Sequence, residues 1–320
     1  MNLLFLRGKL PLDFRPDRLE YDKIGQCEDM WTVLCERLSR SFDRTELWYY
    51  GAGKNVKKKS VTDKFVERWV NFSDLPSFVP DVIIARGGFK DYRVVCSRYP
   101  KAKKVYYGAG VRFKPEWGKW DLVLVDSVKQ QRKIPGSQLF IKPAADNLFK
   151  PFYGDKKYDV CFMANAPQAA IKQHKLAFDA IAEIGISMLH LGLVDDKLYK
   201  WARDSYVTFG GWHRRHKLPG LISQCRVGLV CSTPYDSCPR VLPEFLACGL
   251  PVVALGSMNF WHEMYVNDRT GLLVSESEID IAIRTLLKVS LDVRAYYDEF
   301  LSVGVAAERL VGQIMGVRCG

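Results

Sequence analysis

The feature that most constrains the fold is an alternation of short apolar runs with longer helix-like stretches along the whole chain. The runs are rich in β-branched and aliphatic residues, and most of those in the first half are followed by small residues. This alternation predicts parallel strands joined by helices, which is an α/β fold. Predicted strands cover residues 3–6, 47–50, 82–85, 105–107, 122–125, 139–141, 158–163, 187–191, 206–209, 227–231 and 252–255.

The length of 320 residues is enough for two domains, each with its own core. Pro151 and Gly154 indicate a linker between them. The predicted domains are residues 1–150 and 151–320, and the last helix is free to pack back on the first domain. In open α/β sheets ligands bind beyond the carboxyl ends of the strands, so the small residues found there allow close approach of a ligand.

The positive charge is confined to the first half of the chain. Residues 1–150 hold 29 Lys and Arg against 18 Asp and Glu, whereas residues 151–320 hold 18 of each. Each lysine cluster alone fits a solvated loop. A charge restricted to one half of a protein, however, attracts a polyanion or an anionic membrane surface.

One stretch of the second half, residues 231–253, combines a strand end, a loop, a helix and a second strand. Asp236 lies in the loop, and Glu244 lies inside the helix, which is predicted to begin near Arg240. A helix N-terminus offers free N–H groups and a positive dipole end to a diphosphate. Two carboxylates beside it can accept hydrogen bonds from sugar hydroxyls. The same positions equally fit a capping aspartate and a solvated helical glutamate.

This stretch resembles the acidic-x7-Glu signature of the retaining GT-B glycosyltransferases of the large family 4, or group 1, type. Asp236 and Glu244 have the family's spacing, and Ala-Cys-Gly-Leu-Pro-Val-Val follows without a gap at residues 247–253. Asp236 stands where the family usually has glutamate. The resemblance implies two Rossmann-like doubly wound domains facing a central cleft. It also implies transfer of a sugar from a nucleoside-diphosphate sugar with retention.

Further segments resemble the family in the same order. Residues 209–212 resemble its strand and glycine turn beside the nucleotide base, residues 268–274 its Thr-Gly-Leu-Leu-Val turn, and residues 143–151 its interdomain strand end. Two departures stand out. Ala164 and Asn165 occupy the place of the family's Gly-Arg pair, which leaves the arginine role unassigned. The five histidines all lie in the second half, whereas many members place one in the first domain near the sugar.

The resemblance assigns roles to residues of the donor-binding half. Lys172, with Lys175 as a competing candidate, would hold the diphosphate together with backbone N–H groups. Glu244 would bind the ribose hydroxyls, and Asp236 a hydroxyl of the donor sugar. Trp212 would either stack on the base or belong to the core. The expected donor-binding residues are Gly8, Gly210, Gly211, Trp212, Ser237, Cys238, Pro239, Arg240 and Val241.

Neither a metal ion nor a dedicated side-chain base is expected. In the family's mechanism the departing phosphate can take the acceptor proton, and Asp91 and Asp126 are the alternatives for that task. No Asp-x-Asp follows a predicted strand, so the helix dipole and the lysine would replace the charge of a metal. The expected co-substrate is a nucleoside-diphosphate sugar, with no cofactor and no obligate protein partner.

In this architecture the first domain binds the acceptor, and here it carries all of the net charge. The favoured acceptor is DNA carrying a hydroxymethylated base, of the kind that bacteriophage transferases modify. The alternatives are a lipid-linked or lipopolysaccharide acceptor at an anionic membrane and a non-catalytic nucleic-acid-binding protein on the same scaffold. The expected acceptor-binding residues are Lys54, Lys57, Lys58, Lys59, Gly87, Gly88, Asp91, Lys103 and Lys104.

The sequence contains no evident transmembrane or export segment. The longest uncharged run, residues 245–261, contains a proline, two glycines, a serine and an asparagine, and the apolar run at residues 3–6 is too short for a signal peptide. Nine cysteines are scattered without a Cys-x-x-Cys pair, which favours reduced thiols. The expected location is therefore the cytoplasm, that of the host if a phage encodes the protein.

Overall fold

The computed structural model describes residues 1–7, 28–50, 57–70, 74–86, 92–108, 120–202, 206–236 and 238–316. The chain divides into two compact units: unit 1 comprises residues 1–141 and 303–320, and unit 2 comprises residues 142–302.

The division after Ile141 differs from the predicted boundary after residue 150. The N–H of Lys142 donates to the Tyr265 hydroxyl at 2.7 Å, and that of Ala144 donates to the Tyr297 hydroxyl at 3.1 Å. These bonds hold residues 142–150 in unit 2. The charge distribution is unaffected, because unit 1 still holds 29 Lys and Arg against 18 Asp and Glu, and unit 2 holds 18 of each.

The described part of unit 1 is built on a sheet with the strand order β3-β4-β2-β1-β5-β6-β7-β8, in which only β3 is antiparallel to its neighbour. The strands are β1 (Asn2–Arg7), β2 (Arg44–Tyr50), β3 (Lys57–Ser60), β4 (Phe65–Val70), β5 (Val82–Arg86), β6 (Lys103–Gly108), β7 (Leu122–Val125) and β8 (Gln138–Leu139). The helices are α1 (Glu28–Leu38), α2 (Tyr92–Arg98), α3 (Val128–Lys133) and, from the end of the chain, α12 (Val303–Met315).

The last helix, α12, packs on unit 1. Arg37 of α1 pairs with Glu308 at 3.6 Å, and the side-chain amide of Gln313 donates to the Leu139 carbonyl at 2.9 Å. The ammonium of Lys103 donates to the Ile314 carbonyl. These contacts hold the end of the chain in unit 1.

Strands β3 and β4 are absent from the predicted set, and residues 57–59 lie in a strand rather than in a loop. β3 forms the edge of the sheet, where Lys57 pairs in register with Trp69 and Ser60 with Val66. Lysine is depleted in strands, which hides this element from a reading of the sequence. Lysine is nevertheless common on edge strands, where charge discourages pairing with another chain.

The described part of unit 2 is a parallel sheet with the order β11-β10-β9-β12-β13-β14. Its strands are β9 (Tyr158–Met163), β10 (Met188–Leu191), β11 (Val207–Gly211), β12 (Cys225–Val230), β13 (Val252–Leu255) and β14 (Gly271–Val274). Its helices are α4 (Ala169–Lys172), α5 (His174–Ile184), α6 (Asp196–Trp201), α7 (Leu218–Ile222), α8 (Val241–Ala247), α9 (His262–Tyr265), α10 (Ile279–Leu286) and α11 (Val293–Phe300). The predicted α/β fold is confirmed, and every predicted strand overlaps an observed one.

Two general properties of the described residues concern membrane spans and cysteine chemistry. Within those residues, no helix is both long enough and apolar enough to cross a membrane. Their cysteines are free thiols, namely Cys35, Cys96, Cys161, Cys225, Cys231, Cys238 and Cys248.

Close packing of α8 on β12 depends on Gly228. A Cβ atom at this position would lie 2.4 Å from Cδ2 and 2.8 Å from Cγ of Phe245, which is fully buried in α8. Gly228→Ala should therefore destabilise the protein by about 1–3 kcal/mol, the usual cost of overpacking a core. Gly220→Ala in α7 is the matched control, since nothing lies within 4 Å of its added methyl. Equal urea midpoints for the two variants would contradict this packing account.

A pair of buried histidines lies beneath the same sheet. The rings of His174 and His190 are 5.3 Å apart, and Phe162, Phe178 and Phe209 surround them. Burial lowers the pKa of both rings, that of His190 to about 3 with a contribution from His174. Both histidines are therefore neutral in the folded protein at pH 7.

This pair predicts a loss of stability in acid. Below the usual histidine pKa of 6.5 the unfolded chain binds protons that the folded protein does not, and for His190 this difference persists down to about pH 3. The free energy of unfolding should fall by about 1.4 kcal/mol per pH unit for each such group. His190→Phe should flatten this dependence in urea titrations between pH 7.5 and 5. An unchanged slope in the variant would refute this assignment.

Candidate active site

Four charged side chains lie on segments that follow parallel strands of unit 2. Lys172 ends α4, which follows β9, and Arg215 comes after β11. Asp236 and Glu244 both come after β12, the neighbour of β9 in the sheet. Because the carboxyl ends of parallel strands share one edge of a sheet, these segments meet where α/β proteins bind ligands.

Glu244 is buried inside the protein, with 2% of its surface exposed. Its Oε1 accepts a hydrogen bond from Nη1 of Arg215 at 2.8 Å. Its Oε2 is also buried and has no hydrogen-bond partner among the described residues. The reading of Glu244 as a solvated helical glutamate is therefore wrong. A carboxylate oxygen buried without a partner is costly, and a hydrogen bond from a bound hydroxyl would remove that cost.

The partner of Glu244, Arg215, was missed by the sequence analysis. Its guanidinium lies over the ring of Phe149, with Cζ 4.8 Å from the centroid, and 16% of its side chain is exposed. The only signal in the sequence is the basic run at residues 213–217, directly after the glycine turn. That run fits a solvated turn as well as a functional one.

Lys172 and Asp236, predicted separately from sequence, are brought together. The ammonium of Lys172 donates to Oδ2 of Asp236, and both side chains are largely buried. The N–H of Thr233 also donates to the Ile171 carbonyl at 2.8 Å, which fixes the loop against α4. The competing candidate Lys175 instead pairs with Asp179, one turn further along the exposed face of α5.

The cap of α8 excludes the alternative interpretation of Asp236 as a capping residue. Arg240 is the N-cap residue and makes no side-chain capping bond, so Asp236 is not a helix cap. Cys238 and Pro239 are buried, Val241 begins α8, and Ser237 lies outside the described residues.

Beneath this loop lies a further cation that the sequence analysis missed. Nζ of Lys142, a residue that is 6% exposed, donates to the carbonyl of Cys238 at 2.9 Å. No pattern in the sequence distinguishes this lysine from the many on the surface.

The predicted glycine turn ends a strand, since Gly210 and Gly211 are the last residues of β11. A Cβ on Gly210 would lie 2.9 Å from Cδ2 of Leu191, and Gly211 has a φ of +76°, which favours glycine. His213 Nε2 lies 2.7 Å from the Gly210 carbonyl oxygen. Trp212 is 47% exposed, so its reading as a core residue is wrong and its stacking on a base stays a prediction.

Several residues predicted for the first domain lie outside the described residues, namely Gly8, Lys54, Gly87, Gly88 and Asp91. Of the others, Asp126 is buried and accepts a hydrogen bond from the Tyr107 hydroxyl.

The remaining predicted lysines of unit 1 lie in two different parts of the sheet. Lys57, Lys58 and Lys59 form most of edge strand β3, where Lys57 pairs with Trp69 near the carboxyl end of β4. Lys103 and Lys104 begin β6, and Lys103 pairs with Val82, the first residue of β5. They therefore lie at the amino ends of the strands, whereas α/β sheets bind ligands beyond the carboxyl ends. This corrects their predicted place in the acceptor surface.

The described residues contain no group of three or more His, Cys, Asp or Glu side chains that could hold a metal ion. The predicted independence from metal stays a prediction.

Residues 157–289 match the family described as Glycosyl transferases group 1. The match covers less than half of the chain, lies within unit 2 and includes both ion pairs of the site. Unit 2 therefore contains a group 1 glycosyltransferase domain. No curated protein matches the sequence.

Solved structures resemble the chain over nearly its whole length. The lipopolysaccharide outer core galactosyltransferase WaaB, in its apo form, has a TM-score of 0.70 at 15% identity and covers 99% of both chains. Anabaena HepE in complex with UDP has a TM-score of 0.69 at 16% identity, covering 99% of this chain and 100% of that one. Sucrose-phosphate synthase from Thermosynechococcus elongatus has a TM-score of 0.67 at 14% identity, covering 98% of both. These likenesses show the fold, which is GT-B.

Proposed function

We propose that this chain, a glycosyltransferase by its group 1 domain and its GT-B fold, transfers a sugar from a nucleoside-diphosphate sugar to DNA carrying a hydroxymethylated base, with retention at the anomeric carbon. The observation that carries the donor half of this proposal is Glu244, a buried carboxylate with one oxygen held by Arg215 and the other without a partner among the described residues. In this proposal Oε2 of Glu244 accepts a hydrogen bond from a ribose hydroxyl.

Lys172 and Asp236 divide the remaining donor contacts between them. The Lys172 ammonium, which forms an ion pair with Asp236, holds the diphosphate and stabilises the charge that develops on it. Asp236 accepts a hydrogen bond from a hydroxyl of the donor sugar. The bond from the anomeric carbon to the phosphate oxygen breaks, and a bond from that carbon to the acceptor oxygen forms on the same face. The acceptor proton passes to the leaving phosphate oxygen, so the step needs neither a side-chain base nor a metal ion.

The donor nucleotide that we propose is a uridine diphosphate. The support is that Anabaena HepE, which shares the fold at low identity, is described in complex with UDP and with UDP and glucose. In this proposal Trp212, which is half exposed beside the glycine turn, offers its ring to the base.

The acceptor half of the proposal rests on charge. Unit 1 carries the whole net charge of +11, while unit 2 is balanced. A polyanion such as DNA gains affinity from lysines and arginines by release of its counterions. The rival is a lipopolysaccharide or lipid-linked acceptor at an anionic membrane, which also suits a basic unit, and WaaB acts on lipopolysaccharide by its description.

The donor proposal is tested by nucleotide-sugar hydrolysis. The wild type should hydrolyse at least one member of a panel of UDP, GDP and ADP sugars slowly, and Glu244→Ala should hydrolyse it at least about tenfold more slowly at donor concentrations below the wild-type KM. Absence of turnover by both proteins, with no nucleotide bound, would instead favour a non-catalytic nucleic-acid-binding protein.

The acceptor proposal is tested by retention on DNA and heparin columns at rising salt, beside binding to vesicles containing phosphatidylserine. DNA should be bound at low salt with a steep salt dependence. Indifference to DNA together with vesicle binding would replace the DNA acceptor by the membrane one.

A further inference from the structure

Phe149, Arg215 and Glu244 form a stack inside unit 2. The Phe149 ring is fully buried, the Arg215 guanidinium covers it at 4.8 Å, and Nη1 of Arg215 holds Oε1 of Glu244 at 2.8 Å. Three separate segments of the chain thus meet at one carboxylate. Only one oxygen of that carboxylate is bonded among the described residues.

We propose that Arg215 is the positioning residue of the donor site, and that it makes the site selective for ribonucleotide over deoxyribonucleotide donors. This inference rests on the role proposed above for Glu244. Arg215 holds the carboxylate through one oxygen, which leaves the other at a fixed place to accept a ribose hydroxyl. A donor without those hydroxyls leaves that buried oxygen unpaired, and the cost of an unpaired buried group gives the selectivity.

The guanidinium suits this task for two physical reasons. The terminal torsion of a glutamate is broad, so an unheld carboxylate has no fixed plane, whereas a planar guanidinium stacked on a ring defines one. Its charge also compensates the buried negative charge of Glu244, which would otherwise be strongly destabilising.

Phe149 in turn is held through its own segment. The N–H of Ala144 donates to the Tyr297 hydroxyl at 3.1 Å, which itself donates to Asp146 at 2.5 Å. The ring beneath Arg215 is therefore attached to the core of unit 2 rather than to a surface loop.

The test is calorimetric binding of UDP, GDP and ADP, each beside its 2′,3′-dideoxy counterpart, to the intact chain. The wild type should bind the preferred ribonucleotide at least about tenfold more tightly than the dideoxy form. Arg215→Gln should lose most of this preference by weakening the ribonucleotide alone, and Arg215→Lys should lose part of it. The matched control Arg214→Gln removes the same charge one residue away, at an exposed position, and should keep the full preference.

The outcomes separate the two proposals. If Glu244→Gln loses the preference while Arg215→Gln weakens both nucleotide forms equally, Arg215 is only structural and this inference is overturned. If Glu244→Gln keeps the preference, or if the wild type binds no nucleotide, the role proposed for Glu244 is wrong, and the inference for Arg215 is overturned with it. Should Arg215→Gln not fold, the Arg215→Lys result decides, and equal weakening of both forms would again overturn the inference.

Discussion

Replacing Lys172 by methionine should lower kcat for sugar transfer by about 10²–10³-fold, with a smaller effect on the KM for the donor. Loss of one preorganised group facing the charge of a transition state typically has this magnitude. The leaving diphosphate gains negative charge as its bond to the sugar breaks, so the ammonium contributes more in the transition state than in the bound substrate.

The chain offers a matched control three residues away. Lys175 lies in α5, whereas Lys172 ends α4, and Lys175 pairs with Asp179 on the exposed surface. Lys175→Met should retain wild-type kcat and KM. Equal losses in the two variants, or unchanged turnover in Lys172→Met, would show that the diphosphate is held elsewhere.

Replacing Glu244 by glutamine should raise the KM for the donor by about 10–100-fold, the value of one hydrogen bond to a charged group, and change kcat little. The ribose does not change in the reaction, so Glu244 binds it equally in the ground and transition states. Such uniform binding appears in KM rather than in kcat.

The control for Glu244→Gln is Glu263→Gln in α9, where the glutamate is exposed. Thermal unfolding should accompany the kinetics, because the variant removes one partner of a buried ion pair and leaves Arg215 uncompensated. A fall in kcat with unchanged KM would contradict the ribose assignment and place Glu244 closer to the reacting carbon.

Most of the parallel strands were predictable, because apolar runs of strand length followed by small residues have few other structures available. The parallel strands β4 and β14 were not among the predicted ones. Strand β3 was not, since three consecutive lysines at residues 57–59 are typical of a loop and only the pairing with β4 makes them a strand. The position of a charged residue on the sheet also escaped prediction. Lys103 and Lys104 were grouped by sequence with other lysines, yet they begin a strand rather than end one.

Candidate site residues could be named from the sequence where a motif or a resemblance marks them, and were missed where neither does. Asp236 and Glu244 lie on one continuous motif, and Lys172 was named by resemblance; their roles stay predictions. Arg215 and Lys142 reach the same region from other segments, 29 and 96 residues away from their partners. Burial of Glu244 follows from the packing of α8, which no local pattern reports.

In the proposed function, the balanced unit 2 binds a nucleotide sugar and the basic unit 1 binds DNA. This proposal is tested most directly by incubating hydroxymethylated DNA with the protein and each candidate nucleotide sugar, followed by mass spectrometry of the released nucleosides. We expect a nucleoside heavier by one sugar residue with the wild type, and at least about tenfold less of it with Lys172→Met or with Glu244→Gln at low donor concentration. Unmodified nucleosides with every donor, from protein that hydrolyses one of those donors, would contradict a DNA acceptor.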